Sequence, residues 1–408
     1  MTQNMSVCLI NALFPPDAYG GAENYIKRTA NELSERGYDV SIVTTKKYDG
    51  LNSLSPTKHD YEGTPIWRFY PLNLYHRTNG EDASIIKKAV WHQLDTNNLH
   101  SKKAINNIIN RIEPDIIHTN NLTGISTSIG KAIHQSESFH VHTLHDYSLI
   151  CPKSNMIREL TASEGDIEVC KDPPMPCRIF SRQKQSTLGQ PDLVLSPSQH
   201  VLDIHQENGI FRDVPCHRLR LGVESVNPQD IGVSDNLSVL YVGKQMKAKG
   251  IETLFDAAQS LPEITFHVCG AGPFEDKTKR MSNTADNFYY HGYVSEAKLD
   301  QLRAQSRIAI VPSIWMENSP FTIYESFASA LPVIGSHIGG VPELIEPGER
   351  GDLFTAGDPD DLAESISELI TDENRLQLMS ENAIQWAKEH TIEKHVDRLL
   401  NEMYPKLQ

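Results

Sequence analysis

The 408-residue chain has little of what marks several classes of protein. No apolar run approaches the ~20 residues that a membrane-spanning helix requires. Six cysteines in a chain of this length do not form the disulfide framework of a small secreted protein. The first residues lack a basic stretch followed by a small-residue cleavage site, so we expect a cytoplasmic protein.

Basic charge is also scarce. Lys and Arg number 38 against 53 Asp and Glu, a net charge of −15, which argues against nucleic acid as the main partner. Residues 1–228 carry 23 basic and 25 acidic side chains, whereas residues 229–408 carry 15 and 28. The first part is therefore the better suited to approach an anionic surface, and solubility is the simplest reason for the acidic second part.

Short β-rich runs alternate with helical runs along the whole chain. Strands are predicted at 7–11, 40–43, 115–118, 140–144, 192–196, 238–242, 265–269, 308–311 and 332–335, and helices at 22–36, 251–260, 295–305, 373–388 and 392–404. Repeated strand, helix, strand predicts an α/β fold with mostly parallel sheets covered by helices. The polar stretch 224–236 is the best linker candidate, so we expect two doubly wound domains with a cleft between them.

Two loops that follow predicted strands carry features suited to an anion, and ligands of such sheets bind at the carboxyl ends of the strands. Gly20 and Gly21 open the first helix, where the backbone can approach a ligand and offer free N–H groups. Lys244, Lys247 and Lys249 lie between Gly243 and Gly250 and could neutralise a diphosphate. A structural turn and a solvated basic turn remain the alternatives.

A third glycine-bearing loop argues against a nicotinamide cofactor. Gly270-Ala-Gly272-Pro-Phe-Glu275 follows a strand, but Glu275 stands where the dinucleotide fingerprint needs its third glycine. We therefore predict no dinucleotide site here.

The most informative stretch runs from Pro312 to Ile334 and holds two carboxylates eight positions apart. Glu325 falls inside a helix that Pro320 can begin, and Glu317 falls in the loop before it. Asn318 and Ser319 suit a helix cap. Because carboxylates accept hydrogen bonds from hydroxyl groups, such a pair suits a sugar and a ribose.

These motifs together resemble the retaining glycosyltransferases called group 1 or family four. The resemblance covers most of the chain and is carried by an ordered set: Gly-Gly-Ala-Glu at 20–23, Pro-Asp-Ile-Ile-His at 114–118, His145-Asp146, Ser-Pro-Ser at 196–198, the lysine loop 243–250, Gly270-Ala-Gly272, His-Gly-Tyr-Val at 291–294, Glu317-x7-Glu325 and Gly-Gly-Val-Pro-Glu at 339–343. Each motif alone is weak, but their order is specific.

The resemblance implies the GT-B fold, with two Rossmann-like domains facing a central cleft. It assigns residues 1–228 to an acceptor-binding domain and residues 229–388 to a nucleotide-sugar-binding domain. The last helix, 389–408, is expected to cross back to the first domain.

The resemblance also implies roles for individual residues. Glu317 would contact the transferred sugar, Lys249 the donor diphosphate, and His145 would lie beside the donor sugar; these are the expected catalytic residues. The expected donor-binding residues are Lys244, Glu325, Gly20, Gly21, Gly270, Gly272, Val294, Asn318, Ser319, Pro320 and Phe321. His118 ends a predicted strand and is expected on the acceptor side, with a satisfied histidine at the edge of the cleft as the alternative, and Asp146 is also expected on the acceptor side.

The implied activity is transfer of a hexose-type sugar, with retention and without a metal or other cofactor, from a nucleoside-diphosphate sugar to a glycan or lipid-linked acceptor. Cell-surface polysaccharide or glycoconjugate synthesis is the expected setting. The family commonly has Arg where this chain has Lys244, and Lys lacks the planar fork that binds phosphate at two points. Donor binding could therefore be weaker here, with Lys247 assisting.

Several alternatives stay open at this point. The fold would also suit a nucleotide-sugar epimerase or a catalytically weak nucleotide-sugar-binding subunit. Cys151, Cys170 and Cys177 share a polar segment and could hold zinc with a fourth ligand. An ordinary surface segment without a metal is the simpler interpretation. The basic amphipathic runs 84–91 and 101–109 could contact a membrane peripherally, with ordinary packing onto the sheet as the alternative.

Overall fold

The computed structural model describes residues 5–17, 20–80, 82–159, 167–224, 226, 234 and 236–405. The chain forms two compact units, Met1–Arg220 together with Ile392–Gln408, and Leu221–Thr391. The sequence-based boundary at 228 falls in 227–233, outside the described residues, as does most of the predicted linker 224–236.

The first unit contains an eight-stranded sheet and a separate two-stranded one. Its strands and the helices between them are β1 (Ser6–Ile10), α1 (Gly21–Glu35), β2 (Asp39–Thr45), β3 (Thr57–Tyr61), β4 (Thr64–Phe69), α2 (Ile85–Thr96), α3 (Leu99–Ile112), β5 (Ile116–Thr119), α4 (Gly130–Ile133), β6 (Phe139–Thr143), β7 (Ile157–Glu159), β8 (Ile167–Val169), α5 (Met175–Leu188), β9 (Leu193–Ser196), α6 (Gln199–Glu207) and β10 (Cys216–Arg218). The sheet order is β10-β9-β6-β5-β1-β2-β4-β3.

All neighbouring pairs in this sheet are parallel except the hairpin of β3 and β4. The predicted strands of this unit are confirmed to within a residue or two, but the edge strand β10 and the hairpin were missed. Its outer strand is mostly exposed and carries Lys, His and Asp, so it lacks the apolar run that marks a buried parallel strand. The segment with the three cysteines folds as a separate two-stranded sheet, β7-β8, followed by α5.

The second unit is built on a six-stranded sheet that is parallel throughout. Its elements are β11 (Ser238–Val242), α7 (Ile251–Ser260), β12 (Thr265–Cys269), α8 (Glu275–Thr284), β13 (Phe288–Gly292), α9 (Glu296–Gln305), β14 (Ile308–Val311), α10 (Phe321–Ala328), β15 (Val333–Ser336), α11 (Val341–Ile345), β16 (Gly351–Phe354), α12 (Pro359–Ile370) and α13 (Glu373–Lys388). The sheet order is β13-β12-β11-β14-β15-β16.

An apolar core joins this sheet to its helices. Val239, Phe266 and Ile308 of the strands are buried against Leu254 of α7 and Ile366 of α12. Burying apolar side chains from both layers is the main source of stability of such a unit. It also fixes the ends of the strands, from which the loops of the candidate site emerge.

The last helix belongs to the first unit, as predicted. Helix α14 (Ile392–Arg398) continues into a π-helical turn, Leu399–Met403. Arg36, the residue that follows α1, donates to Asp397 at 2.5 Å, and the ring of His395 hydrogen-bonds the carbonyl of Arg220 at 2.7 Å. Among the described residues, no helix combines the length and apolar character needed to cross a membrane.

Candidate functional site

Glu317 of the second unit lies in the loop between β14 and α10 and is almost completely buried. Three donors meet at its Oε1 atom: Lys249 Nζ at 2.6 Å, Ser313 Oγ at 2.7 Å and Trp315 Nε1 at 2.8 Å. In the part of the chain that the structure describes, no hydrogen bond to Oε2 is found. One carboxylate oxygen is thus fixed, and the other is left to accept from a ligand hydroxyl.

Lys249 is held next to this carboxylate by the backbone around it. Gly250 has φ of +69°, and a Cβ at this position would lie 1.7 Å from the carbonyl oxygen of Pro312. Ile314 also donates its N–H to the carbonyl of Ala248 at 3.0 Å. This close approach of two loops, which only glycine permits, brings Lys249 to Glu317.

The Glu317 loop is fixed from its other side as well. Gly339 has φ of +61°, and a Cβ there would lie 2.4 Å from the carbonyl oxygen of Glu317. The same carbonyl accepts the N–H of Gly340 at 2.8 Å. The Gly339-Gly340 pair, noted in the sequence as part of the family pattern, therefore positions the backbone of Glu317.

Helix α10 begins at Phe321, one residue later than a cap at Ser319 requires and two residues later than a cap at Asn318 requires. Pro320 is the N-cap, and the helix has no side-chain cap hydrogen bond. Ser319 instead exchanges a hydrogen bond of 2.7 Å with the hydroxyl of Tyr324. The capping prediction for Asn318 and Ser319 is therefore wrong, since Tyr324 takes the Ser319 hydroxyl and both residues precede the cap.

The start of α10 lies beside the end of β11. Thr322 Oγ1 donates to the carbonyl of Val242 at 3.3 Å, just before the loop that carries Lys244. Lys244 is exposed, and its carbonyl accepts the hydroxyl of Tyr241 at 3.1 Å. A helix N-terminus with no side-chain cap and an exposed lysine near it favour a bound anion.

Glu325 lies within α10 and is partnered by a cation from a different helix. Arg303 of α9 donates to Glu325 Oε2 at 3.3 Å, and also to Glu296 at 2.6 Å and Asp300 at 2.9 Å. Burial alone would lower the pKa of Arg303, but its bonds and charge contacts with Glu296, Glu325 and Asp300 raise it. Arg303 is therefore a permanent cation that orients Glu325.

Three of the expected donor-binding residues lie in neighbouring loops at the same edge of the sheet. Gly270 and Gly272 follow β12, and Val294 follows β13. The N–H of Gly270 donates to the carbonyl of Gly292 at 2.7 Å, and the N–H of Gln245 donates to the carbonyl of Ala271 at 3.0 Å. These loops are thereby joined to one another and to the loop of Lys244.

In the first unit, His145 and Asp146 follow β6 and are held by two asparagines that follow β5. His145 Nε2 lies 2.9 Å from Asn120 Oδ1, and Asn121 Nδ2 donates to Asp146 Oδ2 at 2.8 Å. Burial lowers the pKa of His145 to about 4, so the ring is neutral near pH 7 and donates through Nε2. Asp146 also accepts the N–H of Ser148 at 2.8 Å.

Gly20 and Gly21 lie at the start of α1, where an anion was expected. A Cβ at position 20 would lie 2.6 Å from Glu23 Oε2, so the carboxylate of Glu23 folds back over this helix end. Burial raises the pKa of Glu23, whose Oε1 accepts from Asn11 Nδ2 at 3.4 Å. A ligand phosphate at this end would therefore meet a carboxylate.

His118 is not placed to contact an acceptor. Its ring is fully buried, with Nδ1 2.8 Å from Tyr404 Oη and Nε2 2.6 Å from Thr143 Oγ1. Both ring nitrogens are thus used inside the unit, which corrects the acceptor-side assignment. The alternative of a satisfied histidine is the better description.

The cysteine segment offers no metal centre among the residues that are described. Cys151, Cys170 and Cys177 are free thiols of intermediate exposure. Outside the undescribed positions, which include 160–166, no group of three or more His, Cys, Asp or Glu side chains could hold a metal ion.

Sequence reasoning missed Ser313, Trp315 and Arg303. The first two alternate with Glu317 at two-residue spacing in Ser-Ile-Trp-Met-Glu, so their convergence on one carboxylate had a signal in the sequence. Arg303 had none, because on an isolated helix it pairs with Asp300 and Glu296 like any surface cation.

Comparisons with known proteins place these features in a family context. A family model described as Glycosyl transferases group 1 matches residues 226–386, and one described as Glycosyltransferase Family 4 matches residues 19–224. An uncharacterized 42.6 kDa protein in the cps region of Klebsiella pneumoniae is 25% identical over 342 residues, which cover 83% of this chain and 87% of that protein.

Solved structures of similar fold cover nearly the whole chain. Sucrose-phosphate synthase from Thermosynechococcus elongatus is 18% identical with a TM-score of 0.74, and the match covers 97% of each chain. HepE from Anabaena in complex with UDP is 19% identical with a TM-score of 0.69, covering 97% of this chain and 98% of that one. The predicted GT-B fold is thereby confirmed.

Proposed function

The chain belongs to the group 1, family 4 glycosyltransferases, and from that premise we propose that it transfers a hexose-type sugar from a nucleoside-diphosphate sugar, with retention of configuration, to a glycan or lipid-linked acceptor. Cell-surface polysaccharide or glycoconjugate synthesis at the cytoplasmic side is the proposed setting. The relative from a cps region supports that setting, and the likeness to a protein solved with UDP supports the donor class.

The observation that carries the proposal is the arrangement around Glu317. Its Oε1 atom is saturated by Lys249, Ser313 and Trp315, so Oε2 can accept a hydroxyl of the transferred sugar in a fixed direction. Because Oε2 of Glu317 is held in place before the ligand arrives, the carboxylate need not reorient during the reaction.

Lys249 serves the leaving group in this proposal. An ammonium has three N–H donors, and the bond to Glu317 uses one. The others can meet the diphosphate, whose charge grows as the glycosidic bond breaks, together with Lys244 and the uncapped start of α10.

The remaining steps use groups of the donor itself. The acceptor hydroxyl attacks from the face that the diphosphate leaves, and a donor phosphate oxygen takes its proton. Glu325 holds the ribose hydroxyls, oriented by Arg303. His145, Gly20, Gly21, Gly270, Gly272, Val294, Pro320 and Phe321 stay proposed members of the donor site, and Asp146 of the acceptor side. No metal takes part in this scheme.

Labelled nucleotide sugars, tested with and without an acceptor extract, examine the proposal. Transfer to acceptor, with the anomeric configuration of the product equal to that of the donor by NMR, is the expected result. Interconversion of the donor alone would assign an epimerase, and donor binding without turnover would assign a binding subunit. Loss of transfer in chelator, with recovery on adding magnesium, would overturn the metal-free scheme.

A further inference from the structure

Two helices of the first unit carry an unusual charge balance for a chain with net charge −15. Helix α2 exposes Lys87 and Lys88, and α5 exposes Arg178 and Arg182. Within Ile85–Thr96 and Met175–Leu188 the sole carboxylate is Asp95, which is buried. The solvent-facing charge of both helices is therefore entirely positive.

Between these cations the same helices expose apolar side chains. Ile86, Val90 and Leu94 recur every four residues along α2, on one side of the helix, and are 77%, 45% and 41% exposed. The opposite side of α2 buries Trp91 and Asp95. Large apolar residues in a row on a solvated helix face indicate a surface that meets something else.

Helix α5 also exposes apolar side chains, at two positions one helical turn apart. Met175 and Ile179 are 74% and 48% exposed. The ring of Phe180 in α5 lies 5.6 Å from that of His92 in α2, so the two helices are neighbours. We call Ile86, Val90, Leu94, Met175 and Ile179 the α2–α5 face.

The charge at the rim of this face decides between occupants. A second copy of the chain meeting the same face would bring like charges together, which costs binding energy. An anionic lipid surface instead attracts Lys and Arg while the apolar row enters the headgroup region. Asp172 pairs with Arg178 and reduces the positive charge without reversing it.

We propose that the α2–α5 face docks this protein peripherally on an anionic lipid bilayer. The inference deepens the proposed function, because a lipid-linked acceptor would be collected at that surface. The apolar row supplies the insertion, and the four cations supply the preference for acidic lipids.

Co-sedimentation with vesicles tests this directly. Vesicles of phosphatidylcholine with phosphatidylglycerol should bind the protein at least about tenfold more tightly than phosphatidylcholine alone, and high salt should remove the difference. The double variant Ile86→Glu/Val90→Glu should weaken binding about tenfold or more, and Lys87→Glu/Lys88→Glu should abolish the lipid preference.

Leu378→Glu is the matched control, since Leu378 is 54% exposed on α13 of the second unit and should change nothing. Binding of donor, followed by thermal shift, should be equal in all variants, so loss of docking is distinguishable from loss of the proposed activity. Equal binding to both vesicle types, or binding that ignores the α2 variants, would overturn the proposal. So would a dimer in solution that Ile86→Glu/Val90→Glu dissociates while no vesicle binds.

Discussion

The two units use different chemistry at the carboxyl ends of their strands. The second unit places full charges there, in the pairs Lys249–Glu317 and Arg303–Glu325. The first unit places mainly neutral rings and amides there, such as His145 on Asn120 and His118 on Tyr404, and the carboxyl groups of Asp146 and Glu23 are bonded to asparagines rather than to cations. Burial lowers the pKa of nine histidines in the described part of the first unit and of two in that of the second.

This difference indicates a different role for the strand ends of each unit. Charges held by short contacts suit a ligand that is itself charged and whose charge changes during the reaction. Neutral hydrogen-bonded rings suit a fixed scaffold, because burying them costs less than burying ions. Variants of the second unit should therefore change kinetics, whereas acid should act first on the stability of the first unit.

The largest expected effect comes from the pair at the centre of the second unit. Glu317→Gln and Lys249→Ala should each lower the transfer rate about 10²- to 10³-fold, because each removes a charge that acts on the reacting groups. Steady-state kinetics with a labelled donor and circular dichroism measure rate and fold. Lys279→Ala, which removes an exposed pair with Glu275 at 2.8 Å, should leave the rate unchanged. Full activity of Glu317→Gln or Lys249→Ala would contradict the assignment of these two residues to the active site.

Acidification should destabilise the first unit before the second. The pKa values of His145, His205 and His395 are lowered by burial to about 4, below their ordinary 6.5. Between pH 6.5 and 4 the unfolded chain takes up protons that the folded unit refuses, so stability is retained above pH 6.5 and falls on acidification by up to about 1.4 kcal/mol per pH unit for each histidine.

Hydrogen exchange, corrected for the intrinsic pH dependence of the rate, should show this as earlier loss of protection. Peptides from 116–145 should lose protection between pH 6.5 and 4.5 before peptides from 238–311 do. Earlier loss of protection in 238–311 would contradict the claim that acid destabilises the first unit before the second.

A smaller effect is expected at Glu325. Glu325→Ala should raise the donor KM about tenfold with little change in kcat, because the ribose is held equally in ground and transition states. Glu296→Ala is the matched control, since it removes another carboxylate from the same Arg303, at 2.6 Å, but leaves Glu325 in place. A tenfold fall in kcat for Glu325→Ala with KM unchanged would contradict ribose binding.

The smallest effect is expected at Trp315. Trp315→Phe keeps an aromatic ring near Lys249, whose Nζ lies 5.2 Å from the ring centre, and removes the indole donor to Glu317. One lost hydrogen bond corresponds to a severalfold fall in kcat, at most about tenfold. Trp91→Phe removes an indole hydrogen bond of the same 2.8 Å length, to the backbone carbonyl of Tyr75 in the first unit, and should not change kcat. An unchanged kcat in Trp315→Phe would show that the indole does not position Glu317.

The sequence was sufficient for the elements whose pattern is local. The parallel strands that were predicted are mostly apolar runs, and helices 251–260 and 373–388 have the predicted bounds. The parallel strands β4, β10 and β16 carry polar or charged residues and were not predicted. The hairpin of β3 and β4 was missed because its exposed strand has no such run. Lys249 and Glu317 were named together from their motifs, and the structure brings them to 2.6 Å.

What could not be predicted depends on contacts between distant segments. Arg303 reaches Glu325 only because folding brings together two side chains that are 22 residues apart on different helices. His118 was assigned to a ligand because it ends a strand, but Tyr404, 286 residues later, occupies its ring nitrogen. A histidine at the end of a strand carries no sign in the sequence of which partner it meets.

The return of α14 to the first unit has a consequence for synthesis on the ribosome. Residues 392–405 are made only after the whole of 221–391, yet they supply the partners of His118 and Arg36. The second unit is a continuous stretch and can fold as soon as it emerges, whereas the unit that is translated first must wait with part of its core open. The earliest-made half of the protein is thus the last to be completed, and it is the half that a chaperone would need to shield longest.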